Sequence, residues 1–393
     1  MRPPAELVVG WLTLFLVGTE LFVFSPLLPM IAANYHVSPT VGGLCVTAFS
    51  LAYVVSAPVF GYFADRVGKR RVLICCLLAF GTANLLTALV ANFRLLLAVR
   101  LFAGAAAAGI SPSIYALVSA SAPRDHGATW LALTVSGLLL SLVLGAPSGA
   151  LVGATFGCPP VFVTLAVLSL VLVWLNWRVW PSEHYHRNAA ASPPDRLTLA
   201  RLAPRLIPMI VWSTGLYGVY TYLGAGLIAV GFSKLQVARA ILSFGCGAIA
   251  GALVGGHLAD RLGTKNTATA SLSGLCVCFF LLMLAIREDV LVFLVLGLSS
   301  AVAQLFFPAQ QAGLANDFPA RRGTVLAWNN SALFVGISLG SLIGGEAVAI
   351  GNFDTILIIS ASIVLIGCII NKIVVPGPTE AQRHRVKHLT ECR

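Results

Sequence analysis

Apolar residues run along this chain in blocks of about twenty, separated by short clusters of charge, proline and glycine. A helix that crosses a bilayer needs roughly 20 apolar residues, because a rise of about 1.5 Å per residue must cover about 30 Å of hydrocarbon. Twelve blocks reach that length. They fall at residues 7–31, 41–63, 71–91, 95–119, 127–153 and 159–180, then at 206–230, 236–259, 267–286, 290–314, 323–350 and 353–375. The first block is too long for the apolar region of a cleaved leader and contains Glu20, Pro26 and Pro29, so it reads as a retained span. A polar, Pro- and Ala-rich stretch separates the sixth block from the seventh, and a polar, basic stretch follows the twelfth. The pattern predicts an all-α polytopic membrane protein with a six-helix bundle over 1–180, a linker over 181–205, a second six-helix bundle over 206–375 and a tail over 376–393.

The two sets of six are related. Gly61-Tyr62-Phe63-Ala64-Asp65-Arg66-Val67-Gly68-Lys69-Arg70-Arg71 returns 195 residues later as Gly256-His257-Leu258-Ala259-Asp260-Arg261-Leu262-Gly263-Thr264-Lys265. Pro123-Arg124-Asp125-His126-Gly127 is echoed by Pro319-Ala320-Arg321-Arg322-Gly323, and the glycines of Gly145-Ala146-Pro147-Ser148-Gly149 by Gly340 and Gly344. Six spans separate the copies, so both halves have the same orientation. That is a parallel repeat about an axis along the membrane normal.

Charge tests the count of spans. Only 10% of the chain is charged, against about 25% for a soluble protein. With both termini on one side, that side holds 20 of the 25 Lys plus Arg, the other holds Arg94, Lys234, Arg239 and Arg287, and Arg100 lies within a span. The positive-inside rule makes the basic side cytoplasmic. The net charge of +11 is then a record of orientation, and no nucleic-acid partner is expected. The nine cysteines lack zinc-site spacing and read as small core residues. Neither His-Glu-x-x-His nor Gly-x-x-x-x-Gly-Lys-[Ser/Thr] occurs, so the chain is expected to have no metal, no cofactor, no catalytic residues and no ATP motor of its own.

The doubled Gly-x-x-x-Asp-Arg-x-Gly loop after the second and eighth spans resembles the signature loop of the major facilitator superfamily, and the resemblance covers about the whole chain. Arg100-Leu101-Phe102-Ala103-Gly104 is similar to the fourth-span motif of the proton-coupled members. Gly145-Ala146-Pro147-Ser148-Gly149 resembles the fifth-span motif associated with antiporters, departing from it in that Ala146 separates Gly145 from Pro147. Gly18-Thr19-Glu20-Leu21-Phe22, with Pro26 and Pro29, is similar to the first span of arabinose-efflux-like permeases in the drug–proton antiporter branch. The resemblance implies the major facilitator fold and a bacterial inner-membrane setting.

Three groups of residues carry candidate chemistry. The first is the doubled loop: Gly61, Asp65, Arg66, Gly68, Arg70 and Gly256, Asp260, Arg261, Gly263. A helix start presents free N–H groups and partial positive charge, so Asp65 at the end of span 2 is expected to latch onto the start of span 11 when the basic side closes, and Asp260 onto the start of span 5. Gly61 and Gly256 are expected to allow close approach, Gly68 and Gly263 the tight turn. The second group is Glu20 and Arg100. Glu20 lies about 16 Å deep and Arg100 about 9 Å deep by helical rise, where an ionised group costs roughly 3 kcal/mol or more. They are expected to face a cavity and to carry proton coupling, and the sequence leaves their contact open. Adding 195 lands on Gly215 and Val295, so this chemistry is not doubled. The third group is Tyr217, Tyr220, Gln304, Asn329 and Asn330, neutral side chains placed to line a substrate cavity between the halves.

The expected function is secondary active transport by alternating access: proton-coupled efflux of small amphipathic organic molecules of drug, sugar or nucleoside type. The alternative is a passive facilitator or importer of a small neutral solute. The partners expected are the small-molecule substrate, protons and the lipid bilayer, with the protein a monomer.

Overall fold

The computed structural model describes residues 4–123, 127–181, 196–286, 288–318 and 322–374. The described residues form fourteen α-helices and no strand. In the first half they are α1 (Ala5–Asn34), α2 (Pro39–Val67), α3 (Lys69–Leu89), α4 (Phe93–Ser121), α5 (Gly127–Leu140), α6 (Ala146–Phe156) and α7 (Cys158–Val179). In the second half they are α8 (Arg196–Ala229), α9 (Lys234–Leu262), α10 (Thr264–Ala285), α11 (Asp289–Gln304), α12 (Phe306–Asp317), α13 (Arg322–Ile350) and α14 (Phe353–Val374). They build twelve spans, because the fifth is α5 and α6 joined by a π-turn at Ser141–Gly145, and the tenth is α11 and α12 broken at Leu305.

Eleven of these spans are long and apolar enough to cross a membrane by length and composition alone. The twelfth, α8, is 34 residues long. Trp212, Ser213, Thr214, Tyr217, Tyr220, Thr221 and Tyr222 lower its apolarity, and all seven are buried. It packs between α1, α13 and α14, so its polar side chains meet protein. The helix starts at Arg196, inside the stretch expected as linker, and runs through Pro204 and Pro208. Residues 182–195 and 375–393 lie outside the described residues, as do 124–126 and 319–321.

Both interruptions stand just before a proline. Pro147 and Pro308 have no N–H to donate to Val143 and Gln304, and their rings crowd those carbonyls. The helix answers with the π-turn in one case and a break in the other. At the break, Trp212 Nε1 donates to the Ala303 carbonyl at 3.0 Å and Ser271 Oγ to that of Val302 at 2.6 Å.

The bundle has two ends. One, the basic end, holds the start of α1 and the α2–α3 and α9–α10 turns; the other is the far end. At the far end, Ser38, Asn92 and Ser233 cap α2, α4 and α9 by accepting backbone N–H bonds. At the basic end, Gly68 is the single residue between α2 and α3, and Gly263 the single residue between α9 and α10. Their φ values are 97° and 87°, where a Cβ is strained. Gly68→Ala and Gly263→Ala are each expected to destabilise by about 1–3 kcal/mol. A melting temperature unchanged in both variants would contradict this account of the turn.

Candidate functional site

Arg100 and Glu20 meet in the middle of the first half. Gly104 lets this happen: a Cβ there would overlap the Phe49 carbonyl oxygen, so α4 and α2 run backbone to backbone at that level. One turn earlier on α4, the guanidinium of Arg100 lies 4.7 Å from the ring centroid of Phe49 and 4.7 Å from that of Phe24 on α1. Held between two aromatic faces, its Nη1 donates to Glu20 Oε1. The pair is sealed, with side chains 2% and 0% exposed, so the cavity that both were expected to face does not reach them; each is buried against protein instead. Glu20 Oε2 and Arg100 Nε have no hydrogen-bond partner among the described residues. The Arg-x-x-x-Gly spacing therefore has a local reason: the glycine brings the helices together and the arginine uses the slot one turn away.

The glycines of the fifth span grip the same stretch of α1. A Cβ on Gly145 would overlap Thr19 Oγ1, and one on Gly149 would overlap Val23 Cγ2; Gly137 lies against the Trp11 carbonyl. Pro147 fixes the π-turn at this level. The motif thus touches the residue next to Glu20. The other face of the π-turn meets the second half, where a Cβ on Gly245 of α9 would come within 2.6 Å of the Leu142 carbonyl carbon and 2.8 Å of Val143 Cα.

The halves are joined by three such contacts toward the far end. Across α1 and α8, Ser25 Oγ donates to the Tyr220 carbonyl, Tyr220 Oη donates to the Phe22 carbonyl at 2.9 Å, and the Phe22 ring stacks on Tyr217 with centroids 6.4 Å apart. Ser25 and Tyr220, like Phe22 and Tyr217, are 195 positions apart, the offset of the sequence repeat. Equivalent residues face each other, which puts the pseudo-twofold axis between α1 and α8. Across α2 and α13, Thr40 Oγ1 donates to the Gly345 carbonyl at 3.0 Å and Ser341 Oγ to that of Gly43 at 2.8 Å. Tyr222 reaches into that seam and donates to the Ser341 carbonyl at 2.9 Å. The third contact is Gly245 on the π-turn.

Closer to the basic end, Asn330 Nδ2 donates to Tyr53 Oη at 2.9 Å, and the Tyr53 ring lies on Phe334 with centroids 3.7 Å apart. Beyond this level α2 and α9 present exposed Val59, Tyr62, Phe63, Leu253 and Leu262.

The structure brings only some of the sequence-predicted residues together. Tyr217 and Tyr220, expected in a cavity, instead form the closed α1–α8 seam, because the Tyr220 hydroxyl and both rings are used there. Asn330 lies at the α2–α13 contact. Asn329 is fully buried, and neither end of its amide has a hydrogen-bond partner among the described residues. Gln304 is buried as the last residue of α11. In the doubled loop, a Cβ on Gly61 or Gly256 would find no atom of the described residues within 4 Å, so the expected close approach is not made among them. Arg66, Asp260 and Arg261 are exposed, with Arg66 4.2 Å over the Tyr62 ring. Asp65 falls in α2, and its side chain lies outside the described residues. Arg70 has a use within its own half: its Nη2 donates to the Trp177 carbonyl at the end of α7, where a cation suits the helix dipole. Phe24, Phe49, Tyr53 and Phe334 escape sequence reasoning, since a phenylalanine or tyrosine in an apolar run carries no mark of what it will face.

Known proteins match at the level of both sequence and fold. The family model described as the Major Facilitator Superfamily matches residues 10–285 and again 227–388. An uncharacterised MFS-type transporter of Bacillus subtilis (strain 168) is 27% identical over 337 residues, 84% of this chain and 86% of the relative. The chloramphenicol resistance protein of Streptomyces lividans is 29% identical over 259 residues, 64% of this chain and 66% of the relative. Among solved structures, a D-xylose-proton symporter superposes with a TM-score of 0.80 at 15% identity, covering 95% of this chain and 98% of that one. A point mutant of the nucleoside transporter NupG does so with 0.77 at 16% identity, covering 95% and 99%.

Proposed function

The chain belongs to the major facilitator superfamily, and from that premise we propose that it is a proton-coupled exporter of small amphipathic organic molecules. The observation that carries this reading is the Glu20–Arg100 pair. A carboxylate at mid-membrane depth is costly unless it is paired or protonated. Glu20 has one oxygen held by Arg100 and the other without a partner among the described residues, so a proton arriving at Oε2 would neutralise the group and loosen its hold on Arg100. The π-turn that would carry this change to the second half touches Thr19, the neighbouring residue.

The substrate class follows from what faces the interface between the halves. Asn330 and Tyr53, which meet there, are neutral, and the Phe334 ring beside them favours a molecule with both apolar and hydrogen-bonding parts. The likeness to a chloramphenicol resistance protein points the same way. The positive-inside rule supports a cytoplasmic basic end with both termini on that side, and the bacterial relatives support the inner membrane as its setting, with the protein working as a monomer. The present state is then closed to the outside by its far seam and open toward the cytoplasm. Asp65 and Asp260 belong to the latch of the opposite state, and the six-helix halves act as the two rigid bodies.

The test is flux in proteoliposomes. Uphill movement of a chloramphenicol-type substrate should follow an imposed pH gradient, collapse with a protonophore, and be lost in Glu20→Gln while downhill exchange persists. Uphill movement retained by Glu20→Gln would remove Glu20 from the coupling role. Flux that ignores the gradient in the wild type would favour the passive facilitator, in which the Glu20–Arg100 pair is a brace only.

A further inference from the structure

The outer face of the first half carries a feature that transport does not use. On α7 the exposed apolar stripe through Val167, Leu170 and Val171 ends at the basic end in Trp174, Trp177 and Arg178, all exposed. Beside it runs α3, antiparallel and packed closely enough that a Cβ on Gly81 would come within 2.9 Å of Ser169 Cβ. The exposed stripe of α3, through Leu78 and Leu85, ends at the same level in Arg71. The guanidinium of Arg178 lies 5.5 Å from the Trp174 ring centroid and that of Arg70 4.7 Å from Trp177. Among the described residues, neither Arg71 nor Arg178 makes an ion pair.

We propose that this outer face of α3 and α7 is a binding site for an anionic glycerophospholipid, its phosphate drawn by Arg71 and Arg178 and its acyl chains on the two apolar stripes. Charge complementarity selects the occupant: two cations without a carboxylate partner among the described residues sit where an acidic headgroup lies, and each contributes attraction to an anionic leaflet. The tryptophans, amphipathic and at home at headgroup depth, fix the two helix ends at that level.

The repeat supplies an internal comparison. Adding 195 to Arg71, Trp174, Trp177 and Arg178 gives Asn266, Ile369, Lys372 and Ile373. The second half spans the same bilayer without the two tryptophans or the arginine pair. Crossing a membrane therefore does not itself require this set, and the first half carries it alone.

The experiment uses the purified full chain in detergent, titrated with dioleoyl phosphatidylglycerol or dioleoyl phosphatidylcholine and read by native mass spectrometry and melting temperature. Phosphatidylglycerol should bind and stabilise in preference to phosphatidylcholine. Arg71→Ala and Arg178→Ala should each weaken it roughly fivefold, and together about thirtyfold, with phosphatidylcholine unaffected. Lys372→Ala, at the equivalent place in the second half, should keep the preference. If the double variant fails to fold, Arg178→Gln alone carries the test with its roughly fivefold loss. Equal affinity for the two lipids, or unchanged phosphatidylglycerol affinity in the variants, would overturn the proposal. So would equal stabilisation by inorganic phosphate, because the site would then be selecting an ion rather than a lipid.

Discussion

Arg100→Ala is expected to destabilise the purified protein by about 3–5 kcal/mol, because it leaves the carboxylate of Glu20 buried with no cation beside it. The side chain is also wedged between Phe24 and Phe49, so its removal adds lost packing to lost charge. Glu20→Gln should be milder: the amide oxygen can still accept from Arg100, and the two rings still hold the guanidinium. The informative variant replaces both, as Glu20→Met with Arg100→Met. Apolar replacement of a complete buried pair is often neutral or stabilising, so its melting temperature should return to near the wild type while uphill transport stays absent. Stability and coupling would then separate. If the double replacement restored neither, the pair would be a brace on which folding depends. If it restored both, neither residue would handle the proton.

That separation follows the division between what the chain doubles and what it has once. The Gly68 and Gly263 turns are doubled, and each makes a single-residue connection between two spans. The contact on the pseudo-twofold axis joins residues one repeat apart. Glu20, Arg100, the π-turn and the Arg71, Trp174, Trp177 and Arg178 set have no counterpart at an offset of 195 among the described residues. Alternating access needs two matched bodies, so symmetry suits turns and seams. The proton loading proposed for Glu20 would need one site, and one would suffice.

The positions of the spans were legible because length and apolarity alone decide them; α2, α4, α7 and α13 each begin within two residues of the expected start. The interruptions were not. Pro26, Pro58, Pro112 and Pro204 sit in unbroken helices, so a proline does not announce whether its neighbours will absorb the missing bond. At Pro147 and Pro308 the helix itself gives way, with Gly145 packed against Thr19 at the first and the Ala303 carbonyl accepting from Trp212 near the second. Glu20 and Arg100 were each visible as charges in apolar runs, yet their contact spans 80 positions and depends on the approach of Gly104 to Phe49, a backbone geometry that residue types do not specify. Tyr217 and Tyr220 misled for a related reason. A tyrosine at mid-span serves a cavity or a seam equally well, and only the partner helix decides.

The same geometry predicts how the far seam can be forced. Gly245→Val would place a branched side chain against the backbone of Leu142 and Val143, which no rotamer change can move aside. Overpacking of this kind costs about 1–3 kcal/mol. Because the clash exists only while the far end is closed, it acts as differential stabilisation of the other state, a roughly 5- to 150-fold shift in population. Cysteine labelling from the far side, at Thr40→Cys, should become faster by that factor, and transport should fall as the far-closed state grows scarce. Gly256→Val should do the reverse. A side chain there meets none of the described residues and would obstruct the closing of the basic end, so far-side labelling should slow. If both variants shifted labelling in the same direction, the two ends would not be coupled as opposite gates. If Gly245→Val left labelling unchanged, the π-turn contact would be no part of the seam, and the path from Glu20 through Thr19 to the second half would lose its last link.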